Sequence, residues 1–149
     1  MKRTAAIDPK NEKEMLEKKM PKQEFFETKM KTMRSDGKVH ISFSLENISG
    51  EDQKIQYGSG QSYDIWVYND LDEEVYRWSY NKVFTQALIE TELKKSGLLE
   101  FVEVWNMQDN QGTPVPPGTY TFAVKVMIGL QSGTISQDEL TASSIIELR

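Results

Sequence analysis

The sequence predicts an all-β protein, an antiparallel sandwich, and three observations carry that prediction. Apolar residues recur at every second position in segment after segment, which is the period of a strand with one buried face. Turn signals separate these segments at short intervals, as in sandwiches and barrels. The run Pro116-Pro117-Gly118-Thr119-Tyr120 then feeds directly into an alternation of Tyr120, Phe122, Val124, Val126 and Ile128. Pro117 presets φ for the turn, Gly118 accepts a positive φ, and Tyr120 can bury its ring while its hydroxyl finds a backbone acceptor. A tyrosine in that position marks the inter-sheet corner of immunoglobulin-like folds, so the expected architecture is an immunoglobulin-like β-sandwich with a short N-terminal arm.

The elements follow in order. Residues 1–23 hold few large apolar side chains and form the arm, helical or disordered: Asp8 caps a short segment opened by Pro9 and stopped near Pro21, with Met15, Leu16 and Met20 as its only face. The sandwich is expected over 24–149. Phe25 to Met33 reads as the first strand, Ser35-Asp36-Gly37-Lys38 as a hairpin turn with the Asp-Gly signal, and Val39 to Asn47 as its partner, with Val39, Ile41, Phe43 and Leu45 inward. Asn47-Ile48-Ser49-Gly50 ends that strand. Further strands are expected at Gln53 to Tyr57, Tyr63 to Asn69, Val75 to Ser79, Phe84 to Leu93, Leu98 to Val104, along the alternation after Gly118, and at Leu140 to Leu148. The set makes eight or nine strands in two antiparallel sheets.

Composition narrows the function. There is no cysteine among the 149 residues, which excludes disulfides, thiolate metal sites and thiol nucleophiles. That fits a reducing cytoplasm, and an exported protein whose leader has been removed is the alternative. No apolar run follows the basic start to make a signal-peptide core, and none reaches membrane-spanning length. The net charge is −5, yet residues 1–38 carry eleven Lys and Arg against seven Asp and Glu, so the acidity lies in the rest of the chain. An acidic body lacks the cationic footprint that nucleic acid and anionic membranes require, and neither is an expected partner.

Chemistry is equally constrained. His40 is the only histidine, and the alternation puts it opposite the apolar set, on the polar face of its strand. No Gly-x-Ser-x-Gly elbow presents a serine, so a Ser-His-Asp site has no parts and no catalytic residue is expected. Asp70-Leu71-Asp72-Glu73-Glu74 is the densest acidic run. It lacks the spacing and glycine of a calcium loop and reads as a solvated turn; no metal and no cofactor are expected. Tyr63, Ile65 and Val67 alternate with Asp64, Trp66 and Tyr68, giving both faces of that strand apolar character. Trp66, Tyr68, Tyr76 and Trp78 are therefore a candidate aromatic binding face, while burial of that second face under the N-terminal arm stays open. Trp105 is expected to plug the end of the sandwich.

Tyr63 to Asp70, Tyr76-Arg77-Trp78-Ser79, Phe84-Thr85-Gln86-Ala87, Val104-Trp105 and Pro117-Gly118-Thr119-Tyr120, in this order, resemble the BsuPI-type intracellular proteinase inhibitor family of Bacillus. The resemblance covers roughly residues 24–149. It implies an immunoglobulin-like fold, a protein-binding and non-enzymatic role, and inhibition of a subtilisin-like serine protease. A protease cleft binds extended backbone, and without disulfides strands and prolines must brace the loop that fills it. Thr113, Pro114, Val115, Pro116 and Pro117 form the first candidate for that contact loop, with Ser79 to Val83 and Gly58 to Gln61 as secondary ones. The rival class is a cell-envelope or extracellular adhesion module using the aromatic face to bind glycan or protein. Circular dichroism should show a β-dominated spectrum with at most one short helix, and a helix content above about a quarter would sink the sandwich.

Overall fold

The computed structural model describes residues 24–149, and the expected arm at 1–23 lies outside them. The chain order is β1 (Phe26–Ser35), β2 (Lys38–Asn47), β3 (Gln53–Tyr57), β4 (Tyr63–Tyr68), β5 (Glu74–Arg77), β6 (Ile89–Leu93), β7 (Leu98–Trp105), β8 (Gly118–Val126), β9 (Gly129–Leu130), a single helical turn α1 (Gln137–Leu140) and β10 (Thr141–Leu148). Every paired neighbour is antiparallel. The hydrogen-bonded groups are β1-β2-β7, β6-β3-β9 and β10-β8-β4-β5.

The first two groups are one ribbon with a corner in it. β2 pairs with β7 as far as Glu46 and Leu98, pairing lapses, and the same two chain directions resume at Gln53 and Leu93 as β3 and β6. Asn47 occupies the corner and is 1% exposed. Its Nδ2 donates to the carbonyls of Glu51, Leu93 and Lys94 at 2.8, 3.0 and 3.1 Å. Its Oδ1 accepts from the Ser49 amide and hydroxyl, and its own amide donates to Gly97 O at 2.9 Å. One side chain thus ties together main-chain groups of both strands where the ladder breaks. The sandwich closes where β8 runs on into β9, which pairs with β3 and so carries the chain from one sheet to the other.

Alternation builds the core as expected. Val39, Ile41, Phe43 and Leu45 of β2 face Ile65 and Val67 of β4 and Tyr120, Phe122, Val124 and Val126 of β8, all buried. Each such side chain is worth roughly 1.5–3 kcal/mol relative to exposure. The β1–β2 turn has Asp36 at φ 54° and Gly37 at φ 73°, the paired positive values of a tight hairpin. Tyr120 donates its hydroxyl to Pro116 O at 2.5 Å, the expected corner contact.

Three details differ from the sequence expectation. Phe84–Leu88 is not strand: β3 ends at Tyr57, which pairs with Ile89, and the glycine-containing loop after it offers Phe84–Leu88 no ladder to join. Asp64, expected on the outward face, is 4% exposed, because its carboxylate accepts from the amides of Ile65 and Ser79 and, at 2.5 Å, from the Ser79 hydroxyl. The α1 turn has no apolar period to announce it. It exists because Glu139, buried, takes the amides of Phe25 and Phe26 at 2.6 and 3.1 Å and the Ser136 amide at 3.0 Å, clamping the start of β1 to the approach of β10.

Asn47→Asp keeps the shape of the side chain but turns its donors into a buried anionic oxygen facing three corner carbonyls, of which Glu51 O keeps the Ser49 hydroxyl and Lys94 O the Gly97 amide. Urea unfolding should show a loss of about 3 kcal/mol. A loss below about 0.5 kcal/mol would mean that the corner is held by strand pairing alone.

Candidate functional site

The loop between β7 and β8 was the first sequence candidate, and its geometry is that of a closed turn. Trp105 ends β7 with its ring buried against Tyr76, Tyr120 and Phe122 at centroid distances of 5.7, 6.3 and 5.5 Å. Its indole N–H donates to Gln108 O at 2.8 Å and starts the reversal. The Asp109 amide donates to Thr113 O at 2.8 Å and the Val115 amide to Met107 O at 2.9 Å, while Asp109 Oδ1 accepts from the amides of Gln111 and Thr113. Gly112 takes φ 84° at the tip.

Thr113, Pro114, Val115, Pro116 and Pro117 are therefore one leg of a folded hairpin and not a free extended connection, because the Asp109 carboxylate gathers the backbone that the prolines alone would leave open. Thr113, Pro114, Pro116 and Pro117 are exposed, and Val115 packs partly into the core. The same turn caps the edge of β5: the Asn110 amide donates to Val75 O at 3.1 Å and Asn110 Oδ1 accepts from the Arg77 amide at 2.9 Å. An exposed strand edge is a template for unwanted pairing, and Asn110 occupies it.

The four aromatic residues do not share one face. Trp66 pairs across β4 and β5 with Arg77, whereas Tyr76 pairs with the buried Val67 and so points inward. Tyr76 rests on Trp105, and Trp78 on Tyr63 at 4.7 Å. Trp66 and Tyr68 stay half-buried on the opposite side, beside Ala123 and Thr121 of β8. A pairing shift between Val67 and Tyr68, beyond the acidic turn that Asn69 organises, sets this arrangement. Of the four residues, the inner pair belongs to a row in which Tyr63 also meets Phe43 and Phe101 at 5.1 and 4.9 Å.

Beyond that row the chain takes the long connection from β5 to β6. Ser79–Val83 turns through bonds from the Tyr80 amide to Arg77 O and from the Lys82 amide to Ser79 O, both at 3.0 Å. Phe84 lies half-buried, its ring 5.9 Å from that of Trp78, and Lys82 Nζ sits 4.8 Å above the Trp78 ring. One further tie fixes the connection to the Gly58–Gln61 loop, where the Gly60 amide donates to Thr85 O at 2.8 Å. The approach is close enough that a Cβ on residue 60 would lie 2.8 Å from Thr85 Oγ1. Val83 and Leu88 project from this connection, 96% and 65% exposed. Sequence reasoning missed its openness by extending β6 back to Phe84; the signal was present in Asn81-Lys82-Val83, where no alternation leads in.

Charge adds little chemistry to this surface. His40 lies half-buried on the outer face of β2, opposite Met33 and Val104. Among the described residues no group of His, Asp and Glu is placed to hold a metal ion, and no helix is long and apolar enough to cross a membrane. Burial pushes the Tyr63 phenol far above its ordinary range, and its hydrogen bond to Glu103 and that carboxylate's charge push it the same way.

A model of the BsuPI family, described as intracellular proteinase inhibitor, matches residues 26–129, more than half of the chain and including every loop discussed above. No curated protein matches. Among solved structures, the chain is similar to the alkylpurine DNA glycosylase AlkC of Pseudomonas fluorescens bound to DNA containing an abasic site analog, at 14% identity and a TM-score of 0.48, covering 85% of this chain and 31% of that one. It is also similar to the CARDB domain of the PF1109 protein of Pyrococcus furiosus in complex with di-metal ions, at 12% identity and a TM-score of 0.43, with 82% and 85% covered. A β-glucosidase of Kluyveromyces marxianus in complex with glucose follows at 14% identity and 0.44, with 83% of this chain and 14% of that chain covered.

The raised Tyr63 phenol has a consequence for alkaline stability. A group whose folded pKa lies above its unfolded value of 10.0 contributes its full stabilisation below pH 10.0, and that contribution is lost above it as the unfolded chain ionises first. Unfolding free energy measured in urea should therefore fall from about pH 10 upward, and Tyr63→Phe should flatten that fall. An unchanged alkaline slope in the variant would assign the loss to other groups.

Proposed function

This chain belongs to the BsuPI family of intracellular proteinase inhibitors, and we propose that it inhibits a subtilisin-like serine endopeptidase in the cytoplasm by seating a loop of the sandwich in the enzyme's cleft. The family match over residues 26–129 carries the reading. Membership makes the chain an inhibitor and not an enzyme, so its work is to bind and to stay bound.

The physical requirement on such a protein is a preformed contact surface, because ordering a loop on binding subtracts directly from affinity. Small inhibitors without a large core often brace the loop with disulfides, and this chain has no cysteine with which to do so. Its loops are instead tied by main-chain bonds between neighbouring connections, as at Gly60 and Thr85 or Asp109 and Thr113, and by aromatic packing beneath them. A sandwich stiffened in this way can meet an enzyme with little rearrangement.

The chain's net charge of −5 adds a preference for a cleft with a basic rim. Titration of the purified protein against subtilisin-type and trypsin-type endopeptidases should give stoichiometric inhibition of a subtilisin-type enzyme, weakening as salt rises from about 0.05 to 0.5 M. Inhibition of trypsin-type enzymes alone would move the target class, and absence of inhibition across the panel would remove the reading.

A further inference from the structure

We propose that the segment which enters the endopeptidase cleft is Val83–Leu88, between β5 and β6, and not the proline leg Thr113–Pro117. The proposal rests on the inhibitor reading above and names the part of the surface that executes it.

A cleft that binds extended chain does so largely through the N–H and C=O groups of its guest, as a strand is added to a sheet edge. Along Thr113–Pro117 every N–H and two of the carbonyls are already committed. Thr113 donates to Asp109 Oδ1 and accepts from the Asp109 amide, Val115 donates to Met107 O, Pro116 O takes the Tyr120 hydroxyl, and the three prolines have no N–H to give. Along Val83–Leu88 the reverse holds. The segment is neither helix nor strand, and the one main-chain bond it makes among the described residues is the acceptance by Thr85 O from Gly60. Its remaining N–H and C=O groups are free to pair with another chain.

Side chains point the same way. Val83 is 96% exposed and Leu88 65%, whereas Phe84 turns back onto Trp78. Between Arg77 and Glu90 the only charged residue is Lys82, and its ammonium is held over the Trp78 ring at 4.8 Å. An acidic protein therefore presents here an uncharged stretch with an exposed apolar residue at each end, which suits an enzyme with apolar subsites. Six extended residues span about 20 Å, enough to cross such a cleft.

The segment is also held in place before any partner arrives. Phe84 on Trp78 and Thr85 on Gly60 fix its middle, and β5 and β6 fix its ends. Gly60 has a part in this, because any side chain there would push against Thr85 at 2.8 Å. Exposed apolar residues on a braced, backbone-open segment are the arrangement expected of a contact that costs little entropy to form.

The test compares two variants of the full chain against the endopeptidase that the unaltered protein inhibits. In Val83→Asp/Leu88→Asp both changes fall on exposed side chains, so thermal unfolding should be unaltered while the inhibition constant rises by about 100-fold or more. Replacing Thr113–Pro116 with Gly-Ser-Gly-Ser should leave that constant within about threefold, and hydrogen exchange in the complex with unaltered protein should slow at 83–88. Inhibition intact in the double variant, or lost in the Gly-Ser variant with the fold retained, would overturn the assignment while the inhibitor reading survived. Failure of the unaltered protein to inhibit any endopeptidase would overturn both.

Discussion

The architecture depends on a buried amide. Without the Asn47 side chain, the ribbon formed by β2 with β7 and by β3 with β6 would have to run straight or give up its buried bond to Leu93 O and its ties to Glu51 O and Lys94 O, which would keep only the Ser49 hydroxyl and the Gly97 amide. A straight ribbon would carry β3 away from β9, and the crossing that ties the two sheets together would have no partner. A bent ribbon lacking Asn47 would lose the buried bond to Leu93 O at a cost of about 1–3 kcal/mol. The hydrophobic core supplies the larger energy, but it is indifferent to direction, and this hydrogen-bonded corner tells the chain where to turn.

That bend decides where the loops are. Because β3 leaves the plane of β2, its end at Tyr57 and the following glycines stand beside the connection from β5 to β6, and Gly60 can reach Thr85. Asp64 acts on the other end of the same connection, holding the Ser79 amide and hydroxyl so that the chain turns immediately after Trp78. Two buried polar side chains far apart in sequence thus position one surface segment. A change at either would be felt as altered loop geometry as well as lost stability, since buried networks specify conformation besides contributing energy.

What could be read from the sequence was what alternation and local turn chemistry control. The inward rows of β2 and β8, the Asp36-Gly37 hairpin and the Tyr120 corner follow patterns set within a few residues, and their residue types announce them, as does the size of the Trp105 ring at the end of its strand. Asn47, Asp64 and Glu139 could not be read in this way, because their partners lie across the fold: Leu93 for Asn47, Ser79 for Asp64 and Phe25 for Glu139. A polar residue in a strand looks solvated until its partner is known. The aromatic face failed for a related reason: a one-residue slip in pairing moves every side chain to the other face, and the shift at Val67/Tyr68 is not encoded in either strand alone.

The proline leg and the open segment show how backbone accounting separates two loops that look alike in sequence. Prolines suggested an extended contact loop at Thr113–Pro117, and they do restrict φ, but restriction is not availability. Asp109 and Met107 have taken the amides that remain there, and Asn110 has used the turn to protect the edge of β5. Across the described residues the fold thus spends the β7–β8 turn on its own integrity. At Val83–Leu88 it leaves main-chain groups unpaired in water, where they cost nothing until something displaces that water. A binding protein without disulfides has to keep some backbone uncommitted while holding it still, and aromatic packing below with a single bond at the side is sufficient to do both.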